Sequence, residues 1–200
     1  MNYKYLFTLA LFIGLTWSGK CQNLNTAQGV DYLSDEEQKV IYLMNVARHN
    51  GNQFIRSYLN SYVKEKGMQN NEYVKSLYRD LRKIRNLEPL KPSKSLTQAA
   101  DYHALDMGKT GKIGHNSSDG TSPNKRIRRF FKGYTWGENC SYGYSDAIGI
   151  VMQLLIDDGV SSLGHRKNIL KKGFKYVGVS IEPHKQYRYN CVMDFANTEQ

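Results

Sequence analysis

Four side chains able to hold a cation or move a proton stand beside glycines in the second half of the sequence. They are His115 in Gly114-His115-Asn116, Glu138 in Gly137-Glu138-Asn139, Asp158 in Asp157-Asp158-Gly159 and His165 in Gly164-His165-Arg166. Glycine lets the backbone turn tightly, so such side chains can converge from distant positions. Two imidazoles with two carboxylates form a borderline-soft donor set suited to zinc or another divalent cation, whereas oxygen-only sets favour calcium or magnesium. Spacing alone leaves a second reading open, four unrelated polar residues in loops, because neither HExxH nor a pair of CxxC motifs occurs. Ser117 and Ser118 lie near the first histidine, but no G-x-S-x-G nucleophile elbow accompanies them.

The cysteines depend on the compartment. Residues 1–21 carry Lys4, an apolar run over 5–17 and the small residues Ser18 and Gly19, the pattern of a secretory signal cut between Cys21 and Gln22. The apolar run is too short for a comfortable membrane-spanning anchor. Cys21 offers a second outcome, a lipidated N-terminal cysteine, which Lys20 just before it disfavours. The expected location is therefore extracellular or periplasmic, with no transmembrane segment after cleavage. Pairing of Cys140 with Cys191 is the default in an oxidising compartment, and two separate buried thiols are the alternative.

Length and composition bound the rest. With 200 residues, 40% hydrophobic and 23% charged, and only 4 Pro against 17 Gly, the chain suits one globular domain and neither a coiled coil nor a collagen. A mean hydropathy of −0.60 excludes a multi-span membrane protein. The formal charge of +10 and pI near 9.4 would draw anionic partners. Cations cluster at 125–132 around Ile127, Phe130 and Phe131, where an exposed basic helix face explains them better than a nucleic-acid patch; export removes most reasons for nucleic-acid binding.

The positioning elements are legible in parts. A polar leader covers 22–34, and Ser34 before Asp35, Glu36 and Glu37 starts a helix over 35–50 with Val40, Ile41, Leu43, Met44 and Ala47 on its apolar stripe. Residues 52–86 form a Tyr- and Lys-rich insertion, helical in parts, followed by a proline breaker. Ser95 and Gln98 have the capping-box pattern for a helix that buries Leu96, Ala99, Ala100, His103 and Met107, with His103 as a core histidine. Residues 108–120 read as loop, Gly137-Glu138-Asn139 as a turn, and a helix starts near Ser145 and Asp146. Two strands follow, alternating through Val177, Val179 and Ile181 and through Tyr187, Tyr189, Cys191, Met193 and Phe195.

The helix string Leu96-Thr97-Gln98-Ala99-Ala100-Asp101-Tyr102-His103-Ala104-Leu105-Asp106-Met107 is followed by Gly114-His115 with Asp119-Gly120, and then by Gly137-Glu138-Asn139. Gly164-His165-Arg166-Lys167-Asn168-Ile169-Leu170 and Val177-Gly178-Val179 complete the series. In this order the pieces resemble the CAP superfamily of cysteine-rich secretory, antigen 5 and pathogenesis-related proteins, the SCP-like domains, and their bacterial branch in particular. The resemblance spans 33–196, includes Asn45 and Arg48 on the first helix, and gives a single domain at 35–197. It implies an α+β fold, a three-layer α-β-α sandwich with a central, mostly antiparallel sheet. It also implies a cleft with His115, Glu138 and His165 as three of four metal-binding residues. The fourth is normally a glutamate closing a tryptophan-containing helix, and here Leu155 replaces the tryptophan and Asp158 the glutamate, one methylene shorter. On that helix Asp158 falls on the inward face with Leu155 while Asp157 points elsewhere. Two functions follow from the resemblance. One is an extracellular binding module for a lipid, peptide or protein partner, anionic by the chain's charge. The alternative is a metal-dependent, protease-like hydrolase in which a zinc on His115 and His165 acidifies a water and Glu138 or Asp158 acts as base.

Overall fold

The computed structural model describes residues 22–133 and 136–199. The signal sequence and Cys21 lie outside the described residues. Helix α1 (Asp35–His49) begins after Ser34 as expected, and a capping box not foreseen there holds its start: Ser34 accepts from the Glu37 amide while the Glu37 carboxylate accepts from the Ser34 amide. The insertion is helical, with α2 (Gly51–Phe54), a π-helical turn (Ile55–Leu59), α3 (Asn60–Glu65) and α4 (Glu72–Leu81). Strand β1 (Lys91–Pro92) leads into α5 (Lys94–Thr110), capped by Ser93 rather than Ser95 and closed by Gly111 at φ 72°, so that it consumes part of the expected loop. Then come α6 (Pro123–Ile127), β2 (Trp136–Tyr142), α7 (Ala147–Ile156) capped by Asp146, α8 (Gly164–Ile169), β3 (Tyr176–His184) and β4 (Arg188–Ala196).

The sheet order is β1-β3-β4-β2. β1 runs parallel to β3 and the other neighbours are antiparallel, which makes the sheet mixed. Helices cover both faces. Val177, Val179, Cys191, Met193 and Phe195 pack with α1, α7 and the insertion helices in the main core. Val192 and Ala196, from the alternate positions of β4, pack under Leu96, Ala99, Ala100 and Ala104 of α5. Each fully buried Leu, Ile or Phe in these layers contributes about 1.5–3 kcal/mol. Gly178 allows α5 to lie directly on β3, since a Cβ there would come 2.1 Å from the Leu96 carbonyl carbon and the Thr97 nitrogen.

This register overturns the expected disulfide. Cys140 pairs with Val192 and Cys191 with Ser141, so the two cysteines are one step out of phase on neighbouring strands and face opposite sides of the sheet. Both are free, buried thiols. The segment read as a turn at Gly137-Glu138-Asn139 is the first half of edge strand β2. Its composition hid it, because Gly and Asn are depleted in strands.

Candidate functional site

The edge strand β2 carries the site on both its faces. Glu138 and Cys140 face the α5 side, whereas Asn139 and Ser141 face α7 and α8, where Asn139 Nδ2 donates to the His165 carbonyl at 3.0 Å and Ser141 bonds Gln153. Asn168 of α8 donates to the Glu138 carbonyl at 3.2 Å and to Asn139 Oδ1 at 2.9 Å. These bonds fasten the histidine-bearing helix to the strand.

His115 is presented by a loop held at Gly114. The Gly114 amide donates to the Tyr142 hydroxyl at 2.9 Å, and its carbonyl accepts from His103 Nε2 at 2.9 Å. Because a carbonyl can only accept, His103 Nε2 carries the proton there. Burial holds the His103 pKa below the usual imidazole range. His115 Nδ1 lies 2.8 Å from Glu138 Oε1, and Glu138 Oε2 takes the Arg126 guanidinium. The Glu138 bond is the main reason the His115 pKa is raised. Arg126 and His115 together hold the Glu138 carboxyl below its usual range despite deep burial. Arg126 was expected on an exposed basic face. It is instead fully buried, and also donates to the His115 carbonyl at 2.8 Å. Its place in a cation-rich run concealed this role, although the buried neighbours Ile127 and Phe131 show that one side of the segment faces inward.

The second half of the site corrects the fourth residue. Helix α7 stops at Ile156, and Asp157 caps it in the left-handed region at φ 59°, ψ 38°. Aspartate tolerates this conformation better than most side chains. The helical period therefore does not extend to Asp158. Asp157 is the buried residue: its Oδ1 takes His165 Nδ1 at 2.7 Å, and its Oδ2 takes the amides of His165 at 3.0 Å and Arg166 at 3.3 Å. Asp158 is exposed and accepts from Asn71 Nδ2 at 2.9 Å. Arg166, also buried, locks the arrangement by donating to the last α7 carbonyls, Leu155 at 2.6 Å and Ile156 at 2.8 Å, and to Asp80 of α4 at 2.9 Å. Arg48 does the same for the far end of α8, donating to the carbonyls of Ile169, Lys171, Phe174 and Glu88. Burial lowers its pKa to about 10.

The two histidines thus share one design, an imidazole whose Nδ1 is fixed by a buried carboxylate. Zinc ligation by His115, Glu138, Asp158 and His165 does not fit this donor set. Glu138 has both oxygens engaged, and Asp158 binds Asn71 rather than His165. Beside His165 opens a cavity of about 330 Å³. Tyr62 and Met68 from the insertion, Tyr142, Tyr144, Leu154 and Ile156 give it apolar walls, and Asp157, Asp158 and Gln153 add polar atoms. Burial and Tyr144 raise the Tyr62 phenol pKa, so it stays neutral and able to donate. Cys140 also lines this cavity and so connects it with the α5-side cluster.

A four-stranded mixed sheet between helical layers, with paired His and acid residues at its edge strand, defines an SCP-like α+β domain. The model of the cysteine-rich secretory protein family, CAP, matches residues 42–195, and the chain belongs to that family. Among solved structures, venom allergen-like protein 4 of Schistosoma mansoni is similar at 17% identity and a TM-score of 0.50, with 84% of this chain and 93% of that chain covered. An outer surface protein of Borrelia burgdorferi matches at 23% identity and 0.48, covering 64% and 94%. An extracellular SCP-domain protein of Bacillus anthracis matches at 24% identity and 0.46, covering 56% of this chain and 35% of that one, so the present chain spans about a third of its length. No curated protein matches. No helix among the described residues is long and apolar enough to cross a membrane.

Proposed function

We propose that this is an exported CAP binding module whose ligand seats in the tyrosine-lined cavity beside His165, and that the ligand is a peptide segment carrying a basic side chain. The observation that carries this reading is the lining itself: three tyrosines with aliphatic side chains form the walls, and the two aspartates, not lysines or arginines, supply the charge. Aromatic faces and a carboxylate together favour a cation with an apolar stem. The net positive charge of the chain had suggested an anionic partner. The local lining argues the other way, because recognition depends on the groups within reach rather than on the summed charge. A hydrolase would need a carboxylate free to take a proton from water, and Glu138 is committed to Arg126 and His115 while Asp157 is committed to His165 and Arg166. Export through the signal at 1–21 belongs to the same proposal. The test is fluorescence polarisation with labelled Lys/Arg-rich and Asp/Glu-rich peptides. Basic peptides should bind, Tyr62→Ala and Asp158→Asn should each weaken them, and preference for the acidic set would overturn the reading.

A further inference from the structure

Strand β2 is the last in the sheet order, with β4 as its neighbour. Backbone N–H and C=O groups alternate in direction along an antiparallel strand, so every second residue of an edge strand turns both of them away from the sheet. The Gly143 amide, one residue past β2, donates to the Tyr189 carbonyl at 2.9 Å. Odd-numbered residues of β2 therefore bond β4, and the backbone groups of Glu138, Cys140 and Tyr142 point outward. Two side chains reach that outer edge: Asn168 Nδ2 donates to the Glu138 carbonyl at 3.2 Å and Gln153 Nε2 to the Tyr142 carbonyl at 3.2 Å.

Cys140 lies between these two occupied carbonyls. Neither its amide nor its own carbonyl has a hydrogen-bond partner among the described residues. Yet the residue is only 8% exposed, and it lines the cavity beside His165. Buried backbone groups are almost always paired, whether with protein, water or a bound molecule. The partner that fits is one donor and one acceptor side by side, which a single residue of an extended chain carries.

We infer that a ligand peptide seats its main chain on β2 at Cys140, as a one-residue antiparallel addition to the sheet. Opposed residues of a hydrogen-bonded antiparallel pair exchange both bonds, so the ligand N–H donates to the Cys140 carbonyl and the Cys140 amide donates to the ligand carbonyl. Asn168 and Gln153 hold the flanking carbonyls and keep the addition this short, which also guards the edge against open-ended pairing with another chain. Register then assigns the side chains. The ligand residue opposite Cys140 shares its face, toward α5, and the residues on either side of it turn to the other face. There α7 with its cap and the insertion supply Leu154, Ile156, Asp157 and Tyr62. The basic side chain thus belongs to a residue adjoining the one that bonds Cys140, and its own amide points away from β2. This inference rests on the peptide reading above and adds a backbone contact that a free amine cannot make.

Blocked pentapeptides with one central lysine among alanines, titrated into the unaltered protein by calorimetry, test the contact. A backbone ester in place of one amide removes a donor and leaves every side chain as it was. An ester at one of the two residues next to the lysine should weaken binding about tenfold or more, the loss of a buried hydrogen bond, while an ester at the lysine itself should change it less than about twofold. Proton exchange at the Cys140 amide, followed by NMR, should slow when the all-amide peptide is bound. Equal affinity for all the esters, or Cys140 exchange unchanged by saturating peptide, would overturn this inference and leave the peptide reading standing. If no lysine pentapeptide binds, both fall together.

Discussion

The buried Arg126–Glu138 pair supports the His115 half of the site, and Arg126→Met tests it at nearly constant volume. The substitution leaves the Glu138 carboxylate, whose side chain is 2% exposed, with His115 as its remaining partner and Asp194 across the strand pair. Breaking a buried pair from one side costs about 3–5 kcal/mol because a charge is left uncompensated. At about 2–4 °C per kcal/mol for a chain of this size, that becomes a melting-point drop of roughly 6–20 °C. Glu138→Gln in the Arg126→Met background removes the stranded charge and should recover most of the loss, giving a large favourable coupling in a double-mutant cycle. Differential scanning calorimetry of the four proteins decides the matter. A cost under about 1 kcal/mol for Arg126→Met, below the range for buried pairs, or additive effects in the double variant would refute the reasoning.

Asp194 is held well above the usual carboxylate range by burial and by Glu138, so its folded pKa exceeds the unfolded one. The stability linked to it is complete below the unfolded value and is lost as pH rises through the folded value. Asp194→Asn should therefore gain stability relative to wild type as pH rises, measured by urea melts at acidic and alkaline pH; a constant difference would contradict this. His103 is depressed by burial, so its linked stability should fall as pH drops below the unperturbed histidine value of about 6.5 and be weakened or absent in His103→Gln. Asp157→Asn should change the His165 ring tautomer seen by nitrogen-15 NMR while Asp158→Asn leaves it unaltered, since only Asp157 bonds His165 Nδ1. Gly178→Ala should destabilise by about 1–3 kcal/mol or more in chemical denaturation, because the new methyl meets the α5 backbone, which cannot step aside like a side chain.

Helix α1 with its start at Ser34 and the alternation of β3 and β4 were legible because each rests on a local pattern in neighbouring residues. The position of Asp157 was not. It depends on where α7 stops, and a left-handed cap on a non-glycine residue ends the helical period one residue before the extrapolation does. The cysteine pairing failed for a different reason: whether Cys140 and Cys191 share a sheet face depends on the register of β2 against β4, which is a tertiary property. Arg126 was hidden by composition, since a cation among four others gives no sign that Glu138, twelve residues later, will bury it. Of the site, the motif residues His115, Glu138 and His165 could be found by resemblance. Their partners could be found only from the packing.

The central claim is that the cavity beside His165 binds a basic peptide segment without cleaving it. Incubating the protein with a defined peptide library and following both retained and fragmented peptides by mass spectrometry measures the two outcomes together. The account predicts saturable retention of intact Lys/Arg-containing peptides, lost in Tyr62→Ala and unaffected in Glu138→Gln protein that remains folded. Fragments whose formation is blocked by chelator and by Glu138→Gln, and restored by zinc in the unaltered protein, would contradict it.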